Sequence, residues 1–495
     1  MSWWADIPLF SIILCLLSAA LCSVLKARAA RVTGYTVLAL CVSGGVMLLS
    51  GLLSAGGSVT FMMGHFPAPW GNEIRFGQLE ALLAIVFPLI MLMSLLGGAR
   101  RMEEQVTSFR ENLYYTVCLL LNAALLSQIY TNDLFTGYVF LEIMTLASCG
   151  LIIARSKGKA LVSAMRYMIL NLIGSGLFLL GVILLYDVTG HLLMENIRQA
   201  LEELQAGGEY KTGLTVIIAL ITVGLCVKSA LFPFHTWVPD AYSNGTPASN
   251  AILSSLVSKG YIVLLIKCYC RVFGPEVISG SGINNLIMLL ALSGMIIGSL
   301  DAIRTKETGR MIAYSSVAQI GYIYLGVALG SEAGYAAAIF HLLLHSASKS
   351  LLFLSADALQ TVSGESREFG PLAGAGRRAK GAGVAFTLGA FSLVGLPFTG
   401  GFVTKLLLGR EALNRSVPVA VAVLAVLVVS TLLNILYFLR TVILIWSPGE
   451  TVKKRTRFGP AFGISMIILG TGILACFFLA SPLLDLICTG LTNFS

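Results

Sequence analysis

Four lysines lie inside apolar stretches of this 495-residue chain. They are Lys228, Lys259, Lys349 and Lys405. A cation at the centre of a bilayer costs between about 3 and 10 kcal/mol, so it is retained only where it faces protein or water. For Lys228 and Lys259 the alternatives are snorkelling to the interface or a structural ion pair. Both lie deeper than the roughly 6 Å that the side chain reaches, so we predict that they transfer protons.

Two of these lysines are accompanied by a proline that interrupts a spanning helix. Pro233 follows Lys228 by five residues, and Pro397 precedes Lys405 in SLVGLPFTGGFVTKLLLGREA. A proline ring clashes with the carbonyl four residues back and leaves it without a donor, which predicts a first break near Ser229. Freed carbonyls in a membrane require a polar cavity or water. For Lys405 the alternative is snorkelling to its helix end, but the nearby break favours a cavity.

Other ionisable side chains occur at similar depth. Glu142 is about ten residues from either polar end of its apolar stretch, which places it near the middle of the membrane. His341 and His345 precede Lys349 at intervals of four, so these three side chains stack along one helix face. The histidines are compatible with a metal site, a structural pair or a proton relay. Because no acid at a suitable spacing completes a metal site, we predict a relay and no metal. His235 is predicted to belong to this relay as well.

Composition defines the class of protein. The chain is 57% hydrophobic and 12% charged, with a mean hydropathy of +0.87, which is typical of a multispanning membrane protein. The net charge of +9 does not indicate nucleic acid, because the basic residues lie in short loops between apolar stretches. In the first apolar run, residues 7–25, the positive charges follow rather than precede it. This order indicates a retained helix rather than a cleaved signal.

The sequence predicts no cofactor. Most of the ten cysteines occur singly within apolar runs, as small core residues do. Cys268 and Cys270 do not have the spacing of a CxxC site. No haem-attachment or dinucleotide signature is present, so we do not expect electrons to pass through this chain.

The predicted fold is all-α, with about 14 transmembrane helices, the twelfth centred near residue 394. Between spans, HLLMENIRQALEELQA places apolar residues on one face and predicts an amphipathic surface helix. When loops are assigned alternately to the two sides, roughly 21 lysines and arginines fall on one side and roughly six on the other, so both termini are expected outside the cytoplasm. The side with more lysines and arginines includes Arg100, Arg101, Arg155, Lys157, Lys159, Arg377, Arg378, Lys380 and those within 453–457.

The two broken helices, each with a lysine, predict an internal repeat of five helices. The first copy covers residues 113–271 and the second 282–446, with 1–112 and 447–495 flanking them. An odd number of spans separates the two starts, so the second copy is inverted relative to the first. Inverted repeats with broken helices are a recurrent design in secondary transporters. Each copy is expected to supply a half-channel open to one side.

Five motifs occur in order along nearly the whole chain: DLFTGYVFLEIM, VKSALFPFHTWVPDA, LVSKGYIVLLIKCYCR, HLLLHSASKSLLFL and GLPFTGGFVTK. Together they resemble the antiporter-like subunits shared by respiratory complex I, Mrp-type sodium/proton antiporters and membrane-bound hydrogenases. The first motif, together with RYMILNLIGSGLFLLGVILLYDVTG, is most similar to the branch of D-type Mrp subunits and their hydrogenase relatives.

The resemblance implies a role for each predicted site residue. Glu142 matches the glutamate of the fifth helix, and Lys228 is its partner on the broken seventh. Lys259 matches the bridging lysine of the eighth. Lys349, with His341 and His345, matches the connecting group of the eleventh, and Lys405 the terminal residue of the broken twelfth.

The expected function is translocation of protons, with sodium as a candidate coupled ion, by an antiporter-like subunit of an Mrp, hydrogenase or complex I-like assembly. The partners are other membrane subunits and the lipid bilayer of the cell membrane. Such a chain is not catalytic alone, although the assembly can be an NADH-quinone oxidoreductase-type or hydrogenase complex. Two alternatives remain at this stage: a stand-alone secondary solute transporter, and a quinone-binding redox subunit that uses His235 with Trp237.

Overall fold

A computed structural model describes residues 3–63, 66, 72–155, 158–206, 211–449 and 458–493. Lys157 and residues 453–457, which contributed to the predicted charge asymmetry, lie outside the described residues.

The first part of the chain runs to the break in the seventh span. Its elements are a 3-10 turn at Trp3–Asp6, α1 (Ile7–Val24), α2 (Ala27–Ala55), β1 (Val59–Met62), β2 (Glu73–Phe76), α3 (Gln78–Gln105), α4 (Ser108–Tyr130), α5 (Leu134–Ile153), α6 (Gly158–Thr189), α7 (Met194–Ala206) and α8 (Lys211–Ser229).

The remaining elements begin just after that break. They are a 3-10 turn at Phe234–Trp237, α9 (Val238–Asn244), α10 (Pro247–Ile252), a π segment at Leu253–Val257, α11 (Ser258–Lys267), a second π segment at Cys268–Phe273, α12 (Gly274–Ser281), α13 (Ile283–Arg304), α14 (Thr308–Ala328), α15 (Glu332–Thr361), a 3-10 turn at Gly370–Leu372, α16 (Ala375–Arg378), α17 (Lys380–Val394), α18 (Gly400–Ala412), α19 (Val417–Trp446), α20 (Pro460–Phe478) and α21 (Ala480–Thr492).

The all-α membrane architecture is confirmed. Within the described residues, 13 helical stretches are long and apolar enough to cross a membrane. The remaining predicted span, centred near residue 394, is divided between α17 and α18, and neither piece reaches full length alone. The predicted surface helix is α7, which buries Ile197 and Leu201 and packs against the π segment at Cys268–Phe273.

The sequence prediction missed two elements. Strands β1 and β2 form an antiparallel hairpin in which Val59 pairs with Phe76 and Met62 with Glu73. Each strand has only four residues, too short for an alternating pattern to stand out. The C-terminal α21 was also missed, since its apolar residues follow the last span almost without interruption.

The two predicted helix breaks are present. Helix α8 ends at Ser229, and Ala230 has a positive φ of 64° ahead of the Pro233 turn. Helix α17 ends at Val394, after which Gly395 has a φ of 77°. At both places the backbone leaves helical geometry inside the bundle, where the released carbonyls need other partners.

Burial is uneven across the bundle. The stretches Pro247–Gly280 and Glu332–Thr361 are buried along their whole apolar length, whereas only 28% of the apolar window of Val417–Trp446 is buried. The interior helices therefore carry Lys259 and Lys349, and the outer helices present apolar side chains to lipid or partner subunits. This arrangement allows charged side chains at mid-membrane depth, because protein surrounds them.

Helices α6 and α8 approach closely where two glycines face each other. A β-carbon on Gly224 would lie 2.7 Å from both the carbonyl oxygen of Gly174 and the amide nitrogen of Phe178. A β-carbon on Gly174 would lie 3.0 Å from the Cγ of Lys228. This small-residue contact therefore sets the distance of Lys228 from α6.

We predict that Gly224→Ala forces α6 and α8 apart and lowers stability by about 1–3 kcal/mol, the usual cost of overpacking. The measurement is the thermal unfolding midpoint of the purified protein in detergent. The matched control is Gly176→Ala on α6, where a β-carbon meets nothing within 4 Å. Equal midpoints for the two variants would contradict the prediction.

Candidate functional site

The predicted Glu142–Lys228 pair is formed. The carboxylate Oε1 of Glu142 on α5 lies 4.0 Å from the Nζ of Lys228 on α8. Lys228 is completely buried, whereas the Glu142 side chain is 25% exposed. Exposed Val139 and Leu146 lie close to Glu142 on α5. Glu142 thus lies at the edge of the bundle and turns one carboxylate oxygen inward to Lys228.

Hydroxyl groups complete the surroundings of Lys228. Its Nζ donates to the Oγ1 of Thr145 at 2.7 Å and lies 5.2 Å from the centre of the Tyr261 ring. The hydroxyl of Tyr261 is 3.3 Å from the same Thr145 oxygen. Lys228 therefore interacts with α5 through a hydroxyl and a carboxylate, and with α11 through an aromatic ring.

Lys259 at the start of α11 lies at the π segment that precedes it. Its Nζ donates to the Ser254 carbonyl and, at 3.2 Å, to the Oγ of Ser258. The Ser254 hydroxyl lies 3.0 Å from the hydroxyl of Ser316 on α14. Lys259 is therefore joined to the second half of the chain through two serines.

Lys349 is bound on the other side of that serine pair. Its Nζ donates to the Ile312 carbonyl at 2.8 Å and to the Ser315 hydroxyl at 2.5 Å. The Ser316 hydroxyl donates to the same Ile312 carbonyl at 3.2 Å. Lys259 and Lys349 therefore meet across one turn of α14, and both are fully buried.

The two histidines extend this face of α15. The rings of His341 and His345 are stacked, with centroids 6.1 Å apart. His341 Nε2 lies 2.9 Å from the Oε1 of Gln319, and its Nδ1 lies 3.2 Å from the Oγ1 of Thr404. Both ring nitrogens of His341 are thus engaged by neutral polar groups, which suits a relay better than a metal ligand.

Lys405 occupies the second helix break. Its Nζ donates to the Val394 carbonyl at 2.6 Å and to the Thr431 hydroxyl at 2.8 Å. Val394 is the last residue of α17, so Lys405 satisfies a carbonyl near the Pro397 break. The Tyr322 ring lies 5.1 Å from this Nζ and 5.7 Å from the His341 ring. The ring of Tyr322 thus lies between Lys405 and His341.

The structure therefore arranges the predicted residues in one sequence, which we call the charged line: Glu142, Lys228, Lys259, Lys349, His345, His341 and Lys405. His235, the third predicted relay histidine, is not part of it. It lies in the turn after the first break, stacked on Phe232, with its Nε2 4.0 Å from the Asp301 carboxylate.

Several buried polar atoms along the charged line have no hydrogen-bond partner among the residues that the structure describes. They include Oε1 of Glu142, the hydroxyls of Ser255 and Ser348, and both ring nitrogens of His345. Buried polar groups are normally satisfied by protein or by ordered water. These atoms mark positions where water can connect neighbouring members of the charged line.

The sequence belongs to a known group of proteins. Residues 131–433 match the family described as NADH:quinone oxidoreductase/Mrp antiporter, TM. The chain belongs to this family. The matched region contains every member of the charged line and both helix breaks, and it confirms the family indicated by the five motifs.

Similar proteins extend this result over most of the chain. The N subunit of the NADH-quinone oxidoreductase of Desulforudis audaxviator (strain MP104C) is 34% identical over 408 residues, which cover 82% of this chain and 78% of that protein. A chain in the structure of the membrane-bound sulfane sulfur reductase, an archaeal respiratory membrane complex, has a TM-score of 0.88 at 25% identity, with 99% and 98% covered. A chain of the Mrp complex from Dietzia sp. DQ12-45-1b has a TM-score of 0.86 at 26% identity, with 100% and 98% covered. This antiporter-family chain is therefore a multi-pass membrane subunit.

Sequence reasoning missed a fifth buried lysine. Lys267, two turns after Lys259 on α11, donates to the carbonyls of Gln128, Ile129 and Thr131 at the end of α4. A cation at a helix C-terminus satisfies free carbonyls and complements the helix dipole. Lys267 therefore stabilises the end of α4, and the signal that could have found it was its burial depth in the same apolar stretch as Lys259.

A second missed feature lies close by. Arg271 in the π segment forms an ion pair with Glu80 of α3 at 2.5 Å, and both side chains are almost fully buried. The other carboxylate oxygen of Glu80 accepts from the Gly77 amide at 2.9 Å. The pair joins α3 to the end of the α11 segment, next to Lys267, and we assign it a structural role.

Lys259 and Lys267 provide a matched comparison on one helix. We predict that Lys267→Met lowers the thermal unfolding midpoint more than Lys259→Met, because each hydrogen bond to a charged group is worth about 1.5–3 kcal/mol and Lys267 makes three. When the transport rate is divided by the amount of folded protein, Lys259→Met should lose transport and Lys267→Met should keep the wild-type rate. A lower midpoint for Lys259→Met than for Lys267→Met, or loss of transport in Lys267→Met but not in Lys259→Met, would show that the two roles are assigned wrongly.

Proposed function

We propose that this antiporter-like subunit of a larger membrane complex translocates protons along the charged line. The observation that supports this most strongly is the continuity of the line. Carboxylate, ammonium and imidazole groups follow one another from α5 to α18, and hydroxyls or aromatic rings separate most neighbours. A structural scaffold has no need for four lysines arranged in this way, because each carries a desolvation cost.

The Glu142–Lys228 pair acts as the switch. At 4.0 Å and an effective dielectric of 20, the two charges attract by about 4 kcal/mol, which favours the charged ammonium. Doubling their separation halves the attraction to about 2 kcal/mol. Movement of Glu142 away from Lys228 therefore favours release of the lysine proton toward the middle of the line.

The position of Glu142 explains how a partner can operate this switch. Its side chain is one-quarter exposed on the outer face of α5, at about mid-membrane depth. A carboxylate facing lipid is costly, so a neighbouring membrane subunit is expected to cover this face. A charge or a conformational change in that subunit acts directly on Glu142. The partner subunit can therefore act on Lys228 through Glu142 at the edge of the bundle, and no change in the bundle core is required.

Downstream, the proton passes from Lys228 toward the Lys259–Lys349 pair, then over the histidine face to Lys405. The serines between Lys259 and Lys349 can donate and accept, and water at His345 and Ser348 connects the next step. The proton leaves past Lys405 at the second break. The two halves, residues 113–271 and 282–446, thus act as inverted half-channels joined at their contact.

Protons are the ions that fit the charged line best. Lysine and histidine side chains exchange protons, whereas hard cations are held by oxygen ligands. Sodium, if it is the coupled ion, requires oxygen ligands from elsewhere in the complex. A quinone function for His235 is not proposed, because that side chain is engaged by Phe232 and Asp301. The extension of charged groups through both halves likewise favours an ion conduit over a compact solute pocket.

We predict that Glu142→Gln and Lys228→Ala each abolish coupled ion transport while the complex still assembles. The first removes the charge that controls Lys228, and the second removes the proton carrier. Transport is measured by dye quenching in vesicles, and assembly by native gel electrophoresis. Glu202→Gln, on the exposed face of α7, is the control and should transport normally. Wild-type rates in either test variant would rule out the switch.

The proposed orientation places both termini outside the cytoplasm. The ends of α3, α5 and α15 meet at one cavity, which Arg101, Arg155 and Arg367 line. These helices are the third, fifth and eleventh spans, so alternating spans place their ends on the same side of the membrane. The large excess of basic residues assigns that side to the cytoplasm.

We therefore expect alkaline phosphatase fused after residue 495 to be active and green fluorescent protein at the same site to remain dark. Fusions truncated after Arg155 should show the opposite pattern. A fluorescent C-terminal fusion together with an inactive phosphatase fusion would show that the C-terminus lies in the cytoplasm and would contradict the proposed orientation.

A further inference from the structure

A small polar cavity lies where α3, α5, α10 and α15 end or begin on one side of the bundle. Its volume is about 50 Å³, room for a few water molecules. The charged residues that line it are Arg101, Arg155, Glu307, Asp357, Glu365 and Arg367. Glu365 is 52% exposed at the rim, whereas the Asp357 side chain is only 18% exposed. The cavity therefore reaches from the surface to Asp357.

Asp357 lies on the same helix as Lys349, α15, eight residues further along the chain. At about 100° per residue its side chain is rotated by roughly 80° from that of Lys349. Eight residues of helix place it about 12 Å from Lys349 along the axis. The Nε of Arg101 binds its Oδ2 at 3.2 Å and so holds the carboxylate in place at the cavity. The helix that carries Lys349 thus also carries a carboxylate nearer the surface, at the cavity.

Asn250 of α10 provides a second connection from the cavity. It lines the cavity, and its buried Oδ1 has no hydrogen-bond partner in the described part of the chain. One turn further, Ser254 lies 3.0 Å from Ser316, whose neighbour Ser315 accepts from Lys349. Ser254 lies in the π segment that follows α10, and its carbonyl accepts from Lys259. A polar route therefore runs from the cavity to the Lys259–Lys349 pair.

We propose that this cavity, with Asp357 as its proton-binding group, is the port through which protons from the cytoplasmic side reach the Lys259–Lys349 pair. A proton from cavity water binds the Asp357 carboxylate. It then passes over water and the Asn250–Ser254–Ser316 route to a neutral lysine amine, and the carboxylate is regenerated. This inference rests on the proposed function, because it requires the charged line to carry protons.

The test is proton transport by the assembled complex in vesicles. Asp357→Asn should slow transport about tenfold, while Asp357→Glu, which keeps a carboxylate, should retain at least half of the wild-type rate. The matched control is Glu104→Gln. Glu104 also binds Arg101, at 2.7 Å, but lies outside the cavity lining, so its loss should leave transport unchanged.

A second variant addresses a purely structural effect of Asp357. Asn250→Leu leaves the Arg101 interactions intact and makes the route apolar, so it should also slow transport severalfold. Wild-type rates in both Asp357→Asn and Asn250→Leu would overturn the port. Failure of the proposed function itself has a different signature, namely normal transport by Lys349→Met. Equal loss in Glu104→Gln and Asp357→Asn would assign Asp357 to structure instead.

Discussion

The structure depends on one constraint: an ammonium group inside an apolar bundle needs oxygen acceptors and protein around it. Three of the five buried or part-buried lysines meet this requirement with backbone acceptors at a helix break, a π segment or a helix end, whereas Lys228 and Lys349 bind hydroxyls, and Lys349 also the Ile312 carbonyl, on regular helices. Lys405 uses a carbonyl at a helix break, Lys259 one at a π segment, and Lys267 three at a helix end. At these three places the irregular or terminal backbone leaves carbonyls without intrahelical donors, and a buried lysine supplies the missing donor.

The same residue type serves two purposes, and the acceptors distinguish them. Lys267 is held by three backbone carbonyls, which accept but cannot donate, so its proton has no onward path. Lys228, Lys349 and Lys405 each bind a side-chain hydroxyl, which can accept a proton on one side and donate on the other. Under the proposed function, proton exchange therefore belongs to the second group and not to Lys267. On α11 the proposal assigns stability to Lys267 and transport to Lys259, two turns apart.

The uneven burial of the bundle also divides the charged line. Its middle lies on helical stretches whose apolar windows are completely buried, so only buried side chains and water can act on it there. Glu142 lies at the outer face of α5, where another subunit can reach it. Buried lysines in the interior, together with one part-exposed carboxylate at the edge, fit a subunit that works within a complex. The similar solved structures are membrane complexes with several subunits, and the position of Glu142 is compatible with contact by such a subunit.

The sequence by itself determined the spans, the two breaks and the depth of the ionisable residues. These features follow from local properties: hydrophobic length, the missing amide hydrogen of proline, and the cost of charge in hydrocarbon. Tertiary structure alone decided which hydroxyls face which lysine, why His235 lies apart from the others, and that Lys267 closes a helix end. Those outcomes depend on the rotation and crossing of helices distant in sequence. Thr145, Ser316 and Gln319 therefore could not be selected in advance from the many polar residues of the chain.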